Sequence, residues 1–259
     1  GNLNFNRAIT VGLSGGTIQS TTAGVTTLTL SGGINNSGVL TFNTTGAGPA
    51  NITMATNAIT GAGSVVKNGT GNLTFGVANT YLGTTTVNNG TLTVGNINAL
   101  GSGATQSSSI TVASGATLTM NANGTFGNTN SLTLNGVGIT AAGALISTTG
   151  TSTMINPITL AGNTTFGGTN GLTLNGIIND GGNGFGITKL GAGTLTLGGS
   201  NTFTGSTSIN VGTMTLSNTN ALGSGVTQSS GITVTATGAV LNLNFATSTF
   251  GNTNNITLN

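Results

Sequence analysis

The sequence predicts an all-β protein, an elongated parallel β-helix that runs as a single continuous solenoid over residues 1–259. Three observations lead to this prediction. Short runs alternate apolar residues with threonine, which is the period-two pattern of a strand with one buried face. Clusters of Gly, Asn, Ser and Thr separate these runs, and Gly and Asn tolerate the positive φ angles of turns. Long segments of the chain also recur at a fixed offset, which is the sequence signature of repeat proteins.

The strand signal is carried by four-residue runs that recur along the whole chain. They include TLTL at 27–30, NLTF at 72–75, TLTV at 91–94, TLTM at 117–120, TLTL at 194–197 and TMTL at 213–216. No segment shows the 3.6-residue periodicity of a helix, and strong helix formers such as Glu, Lys and Arg are almost missing. All regular structure is therefore expected to be β.

Two long units account for the internal repetition, at residues 65–135 and 187–259. The blocks Val65–Gly103 and Ile187–Gly225 align without a gap over 39 residues, of which 21 are identical. Short strands alone fit a sandwich, a barrel or a solenoid. Repetition and uniform strand chemistry favour the solenoid, because stacked coils place equivalent side chains above one another and stacked like charges would repel.

One connector returns almost unchanged 122 positions later: NALGSGATQSS at 98–108 and NALGSGVTQSS at 220–230. It has no charge and no aromatic ring, so we interpret it as a turn-and-strand connector. Gly101 and Gly103 are expected to supply the backbone turns. Gly223 and Gly225 are expected to do the same directly below or above them in the solenoid.

The composition excludes several classes of function. Arg7, Lys67, Lys189 and Asp180 are the only charged residues, so the chain cannot supply the roughly 6–10 phosphate contacts of a nucleic-acid groove. It has no cysteine and no run of about 18 apolar residues, which predicts neither disulfides nor a transmembrane helix. It begins at Gly1 without a signal peptide, so we expect a processed chain or a piece of a longer one.

The same composition predicts no catalytic residue, no metal ligand and no cofactor. With no His, Glu or Cys and a single Asp, neither a carboxylate pair nor a triad is available. Asp180 lies in INDGGNGFG and is predicted to cap a turn. Lys67 and Lys189 fit either a paired anion contact or a repeated solvated position, and we favour the solvated one. Tyr81 and Phe203 are predicted to fill the lumen or a coil corner.

Paired threonines suggest one further class. T-x-T pairs occur at Thr91/Thr93, Thr117/Thr119, Thr194/Thr196 and Thr213/Thr215. Flat threonine arrays on β-solenoids occur in ice-binding proteins. Threonine is also the β-branched polar residue that best suits an uncharged outer strand face, and we favour this explanation. Because the pairs are unevenly spaced, they do not by themselves predict a single flat face.

The two 39-residue blocks resemble the autotransporter-associated β-strand repeat of bacterial type V secreted proteins. The resemblance rests on K-x-G-x-G-x-L-T at 67–74 and 189–196, Asn-Thr-aromatic at 79–81 and 201–203, the following Gly83 and Gly205, G-T-L/M-T at 90–93 and 212–215, and A-L-G-S-G. It implies a right-handed β-helix on the outer surface of a Gram-negative bacterium, in an adhesive or structural protein rather than an enzyme. Such proteins usually end in a membrane barrel, and no segment here has that pattern.

Together these observations predict the structural shaft of an extracellular or cell-surface fibre. The final NNITLN at 254–259 has the pattern of an uncapped strand, so we expect either continuation in a longer chain or self-association, end to end or lateral. An adhesin that binds a host surface, a glycan or an abiotic surface is the alternative, and an ice-binding solenoid is a further one.

Overall fold

The computed structural model describes residues 1–21, 27–45, 50–224, 226–245 and 249–259. They form a β-solenoid of about ten turns. Apart from two small antiparallel hairpins, every strand pairing in the described residues is parallel. The prediction of an all-β parallel solenoid is therefore confirmed. The one helical segment among these residues is a 3₁₀ turn, Ile139–Ala141.

The strands are, in chain order, β1 Leu3–Phe5, β2 Ile9–Val11, β3 Gly16–Ser20, β4 Thr27–Leu30, β5 Ile34–Asn36, β6 Val39–Thr44, β7 Asn51–Met54, β8 Ile59–Thr60, β9 Ser64–Asn68, β10 Asn72–Phe75, β11 Thr85–Val87, β12 Gly90–Val94, β13 Gly101–Ser102, β14 Thr105–Gln106, β15 Ile110–Val112, β16 Ala116–Met120, β17 Gly124–Thr125, β18 Leu132–Gly136, β19 Leu145–Ser147, β20 Thr151–Met154, β21 Ile158–Gly168, β22 Gly171–Leu174, β23 Ile178–Asn179, β24 Ile187–Lys189, β25 Thr194–Leu197, β26 Thr207–Ile209, β27 Thr213–Leu216, β28 Gly223–Ser224, β29 Thr227–Gln228, β30 Ile232–Val234, β31 Val240–Leu243 and β32 Ile256–Leu258.

The parallel pairings arrange these strands in three faces. Face 1 consists of β1, β4, β7, β10, β12, β16, β19, the end of β21, β24, β26, β30 and β32. Face 2 consists of β2, β5 and β8 and, further along, β17, β20, β22, β25, β27 and β31. Face 3 consists of β3, β6, β9, β11, β15, β18, the start of β21 and β23.

The core is a column of apolar side chains inside the coils. Strands β7 and β10 show the rule, because every second residue is buried and its partner in the next coil is buried too, as with Ile52 and Leu73. The residues between them point outward and are mostly threonine or asparagine. The alternation predicted from the sequence is therefore the in–out pattern of the solenoid wall.

The two long repeat units do not lie on the same faces. Strand β9 of the first unit lies on face 3, whereas its sequence equivalent β24 lies on face 1. Likewise β10 lies on face 1 and its equivalent β25 on face 2. Along face 1, one coil contains between 19 and 27 residues. The 122-residue offset between the two units therefore corresponds to five full coils plus the step from one face to the next. Equivalent residues are consequently displaced around the solenoid by one face.

This displacement corrects the expected position of the repeated connector. Each copy forms a hairpin, which we call the first hairpin (Gly101–Gln106) and the second hairpin (Gly223–Gln228). The first hairpin lies between a face 1 strand and a face 3 strand, and the second between a face 2 strand and a face 1 strand. They are therefore not stacked. The turn role is confirmed by positive φ at Gly101, Gly103 and Gly223, and Gly225 lies outside the described residues.

Candidate functional site

Titratable side chains are not clustered anywhere in the described part of the chain. No group of three or more His, Cys, Asp or Glu exists there that could hold a metal ion. No helix in the described ranges is long and apolar enough to span a membrane. The chemistry that the molecule does contain lies at two buried lysines, at Asp180, at a buried hydroxyl network and along its threonine columns.

Lys67 and Lys189 are buried, with 1% and 2% of their surface exposed, so the interpretation of a solvated position is wrong. Each points into the lumen from a strand, Lys67 between Phe42 and Val87 of the neighbouring coils. The expectation failed because lysine is seldom fully buried without a partner, and the partners here are backbone groups that no side-chain pattern reveals.

The two ammonium groups are bound by carbonyl oxygens at one corner of the coil. Lys67 Nζ donates to the oxygens of Asn68 at 2.9 Å and Gly69 at 2.7 Å in its own coil. It donates a third hydrogen bond to the oxygen of Asn89 in the next coil, at 3.1 Å. Three acceptors match the three N–H donors of an ammonium group. The lysine therefore holds two successive coils together at the corner.

Lys189 makes the same three contacts one face further round. Its Nζ donates to the oxygens of Leu190 at 2.9 Å, Gly191 at 2.5 Å and Val211 at 3.1 Å. We call Lys67 and Lys189 the corner lysines. Their identical geometry explains the K-x-G-x-G motif, since the first glycine of each motif has a positive φ and turns its carbonyl toward the lysine. Neither ammonium group is accessible to an external anion.

Asp180 caps a turn, as the sequence predicted. Its carboxylate accepts hydrogen bonds from the backbone N–H groups of Gly182 at 3.0 Å and Phe185 at 2.9 Å. The hydroxyl of Thr204 in the next coil donates a further bond at 2.7 Å, and its N–H another at 3.2 Å. Burial alone would raise the pKa of the carboxyl, but these hydrogen bonds outweigh it and leave the pKa below its usual value.

A buried hydroxyl network lies beside Tyr81 in the first unit. The Tyr81 hydroxyl is 2.6 Å from Thr85 Oγ1, which is 2.8 Å from Ser107 Oγ. In the second unit Phe203 replaces the tyrosine, and only the pair Thr207–Ser229 remains, at 2.9 Å. Both rings are fully buried, which confirms that they fill the interior. The network therefore stabilises packing and is closed to a substrate.

Each hairpin is bound by the G-N-T-N segment of the following coil. Gln106 donates to Thr129 Oγ1 at 3.1 Å and accepts from the Thr129 N–H at 2.8 Å. The Asn128 amide donates to the oxygens of Leu100 and Ser107. The second hairpin repeats these contacts through Gln228, Asn252 and Thr253. This pairing explains why both short segments recur together in the sequence.

Threonines form outward columns on all three faces. Face 1 carries Thr29, Thr53, Thr74, Thr93 and Thr119; face 2 carries Thr125, Thr153, Thr173, Thr196 and Thr215; face 3 carries Thr17, Thr41, Thr86, Thr111, Thr133 and Thr159, with Val66 in the same column. The paired threonines of the two units thus lie on different faces. A distribution over every face is what the strand preference of threonine predicts.

The face 1 column is covered part of the way along. Residues 137–144 fold over strand β16, and the Thr117 hydroxyl donates to the oxygen of Gly143 at 2.9 Å. Thr117 and Thr119 are consequently 1% and 7% exposed. Within the same face Asn72 is hydrogen-bonded to the hydroxyls of Thr74 and Thr93. This face therefore offers no long open array.

The free energy of unfolding is expected to depend on pH mainly at alkaline pH. Burial lowers the pKa of both corner lysines from 10.5 to about 8, so the unfolded chain binds more protons between these values and stability rises with pH. Burial raises the pKa of Tyr81, against the opposing hydrogen bonds from Thr85 and Ser107, so stability falls again above about pH 10.

Chemical denaturation followed by circular dichroism from pH 5 to 11 checks this prediction. We expect a nearly level profile to about pH 7.5, since no histidine titrates, and then a rise in the free energy of unfolding between about pH 8 and pH 9.5. The control is the double variant Lys67→Met, Lys189→Met, which should lose the rise and keep the fall. A level profile for the unsubstituted chain through pH 9.5 contradicts the prediction.

Comparison with known families identifies the repeated blocks. Residues 65–94 and 187–216 match the passenger-associated-transport-repeat. The chain therefore carries two copies of this repeat, which confirms the resemblance inferred from the sequence. No curated protein and no solved structure matches the chain. The matched segments each contain one corner lysine and its three carbonyl acceptors.

Proposed function

We propose that this chain, which carries two passenger-associated-transport-repeats, is the structural shaft of a secreted or outer-surface bacterial protein that associates with itself. Its repeats and its β-solenoid fit a passenger-like structural domain. The repeat family is associated with a secreted or outer-surface location. The further steps, a non-enzymatic role and self-association, rest on the chemistry of the described residues.

One observation carries the proposal most directly: three of the four charged side chains take part in building coils or turns. The corner lysines bond only backbone carbonyls, and Asp180 caps a turn and bonds the next coil. Acid–base or nucleophilic catalysis needs a titratable group that reaches a substrate. The buried charged groups of this chain form hydrogen bonds with its own backbone, so the chain is suited to a mechanical role.

Near-zero charge supports self-association. A formal net charge of +2 over 259 residues provides little repulsion between copies. Electron microscopy of the purified chain at increasing concentration tests this step, with fibres or bundles as the expected result. Particles that stay single and short at every concentration would contradict it. Protease treatment of intact producing cells tests the location, since a surface shaft is cleaved without lysis.

An adhesive module is the second candidate, because each hairpin presents an exposed tip. Ala104 is exposed in the first hairpin, and Val226 is 96% exposed in the second. Binding to coated beads by variants with polar tips separates the two functions. A shaft is unaffected by Ala104→Ser or Val226→Ser, whereas an adhesin loses binding. Ice binding, the further alternative, is tested by thermal hysteresis at high concentration.

A further inference from the structure

We propose that face 3 is the lateral contact surface of the solenoid, and that its occupant is face 3 of a second copy of this chain. This inference rests on the self-association proposed above and names the surface responsible. Face 3 extends from β3 to β23 through eight stacked strands. Over this length its outer surface is the longest uninterrupted one that the described residues form.

The other two faces are shorter. Face 1 is interrupted where residues 137–144 cover β16. The regular part of face 2 has six strands, from β17 to β31, and the first hairpin packs beside its start, with Ser102 directly against Gly127. On face 3 the corresponding obstacle, the second hairpin, comes only after β23.

The hydroxyl groups along face 3 have unused hydrogen-bonding capacity. Within the described ranges, the side chains of Thr41, Thr86, Thr111 and Thr133 make no hydrogen bond to another protein group, and all four are half-buried. On face 1, by contrast, Thr74 and Thr93 are already bonded to Asn72. A row of free hydroxyls, each able to donate and to accept, can bond an identical row.

The periodicity and charge of face 3 favour a second copy as the occupant. Its side chains repeat every 4.7–4.9 Å, the spacing of stacked strands, and another stacked sheet shares that repeat. No charged side chain points outward from its strands, since Lys67 faces the lumen. Two such faces therefore meet in register without electrostatic repulsion.

The available area sets the expected strength of the contact. Eight strands that average about four residues give on the order of 450 Å² per copy, or about 900 Å² in total. Specific interfaces begin at about 1,000–1,200 Å², so a pair of these chains is expected to associate weakly. The contact strengthens with the number of stacked coils.

Sedimentation velocity over a concentration series tests the proposal with matched double variants. Thr86→Lys with Thr133→Lys places two charges on face 3, with one coil between them. The control, Thr153→Lys with Thr196→Lys, does the same on face 2, again with one coil between them and at half-buried positions. Far-UV circular dichroism establishes that each variant folds.

We expect the unsubstituted chain and the face 2 variant to associate alike, and the face 3 variant to need at least a tenfold higher concentration. Mixing it with Thr86→Glu, Thr133→Glu should restore association, because opposite charges then meet across the contact. Equal weakening in both lysine variants, or no restoration on mixing, overturns the assignment to face 3 but leaves self-association standing. A chain that is monomeric at every concentration overturns both.

Discussion

Replacing Lys67 with methionine is expected to lower the free energy of unfolding by about 2–4 kcal/mol at pH 7. Methionine has similar length but no donor, so the oxygens of Asn68, Gly69 and Asn89 lose their hydrogen bonds to Nζ. Hydrogen bonds to a charged group contribute about 1.5–3 kcal/mol, and a buried acceptor left without a partner costs about 1–3 kcal/mol. The Asn68 oxygen keeps its hydrogen bond from the Thr44 hydroxyl, at 3.3 Å. The relief of lysine desolvation offsets part of this loss.

Hydrogen–deuterium exchange localises this effect and supplies its control. Faster exchange is expected in strands β9 and β12, the two coils that Lys67 joins, while the coils around Lys189 should keep their protection because solenoid contacts are local. Lys189→Met should give the reverse pattern. Arg7→Met removes an exposed cation and should leave stability unchanged within about 0.5 kcal/mol. If Lys67→Met is as stable as the unsubstituted chain, the hydrogen bonds from the Lys67 ammonium to the carbonyl oxygens do not stabilise the fold, and the prediction is wrong.

Replacing Gly90 with alanine is expected to have the larger effect, a loss of about 3–5 kcal/mol or failure of the coil to form. Gly90 has φ +70°, where an L side chain is strained by about 1–2 kcal/mol. A Cβ there would lie 2.5 Å from the oxygen of Gly71 and 2.9 Å from Lys67 Nζ, and closer still to the oxygen of Gly69. Both the conformation and the space at this corner require glycine.

Gly103 provides the matched control for this substitution. It also has a positive φ, +56°, but a Cβ there has no atom within 4 Å. Gly103→Ala should therefore cost only the conformational term of about 1–2 kcal/mol. Thermal or chemical unfolding of the two variants separates strain from steric overlap. Equal losses in both would mean that overlap at the lysine corner contributes nothing.

Much of the wall of the solenoid was predictable from local pattern. Alternation such as Asn72–Leu73–Thr74–Phe75 specifies which side chains face inward, and the structure buries Leu73 and Phe75 as expected. Asp180 and Tyr81 were likewise assigned correctly, because a Gly-rich turn and a ring in an apolar stack each have one usual environment.

The errors concern contacts between coils. Lys67 was assigned to solvent because its acceptors are main-chain oxygens, one of them 22 residues away in the next coil. The positions of the two hairpins were misjudged because coil length varies, so the face on which a segment lies depends on the sum of all preceding coils. Neither the carbonyl cluster at the corner nor the summed length of the preceding coils can be recognised from a single short motif.

The one-face displacement between the two units bears on how such a chain can lengthen. A duplicated stretch does not have to contain a whole number of coils, provided that it keeps the alternation of inward and outward residues. The copied stretch then lies on the next face of the solenoid, beside strands that the original stretch does not contact. A segment with uncharged threonine outside and aliphatic residues inside fits any of the three faces, as β10 on face 1 and its equivalent β25 on face 2 show. The uniform composition of the sequence is thus compatible with lengthening by duplication.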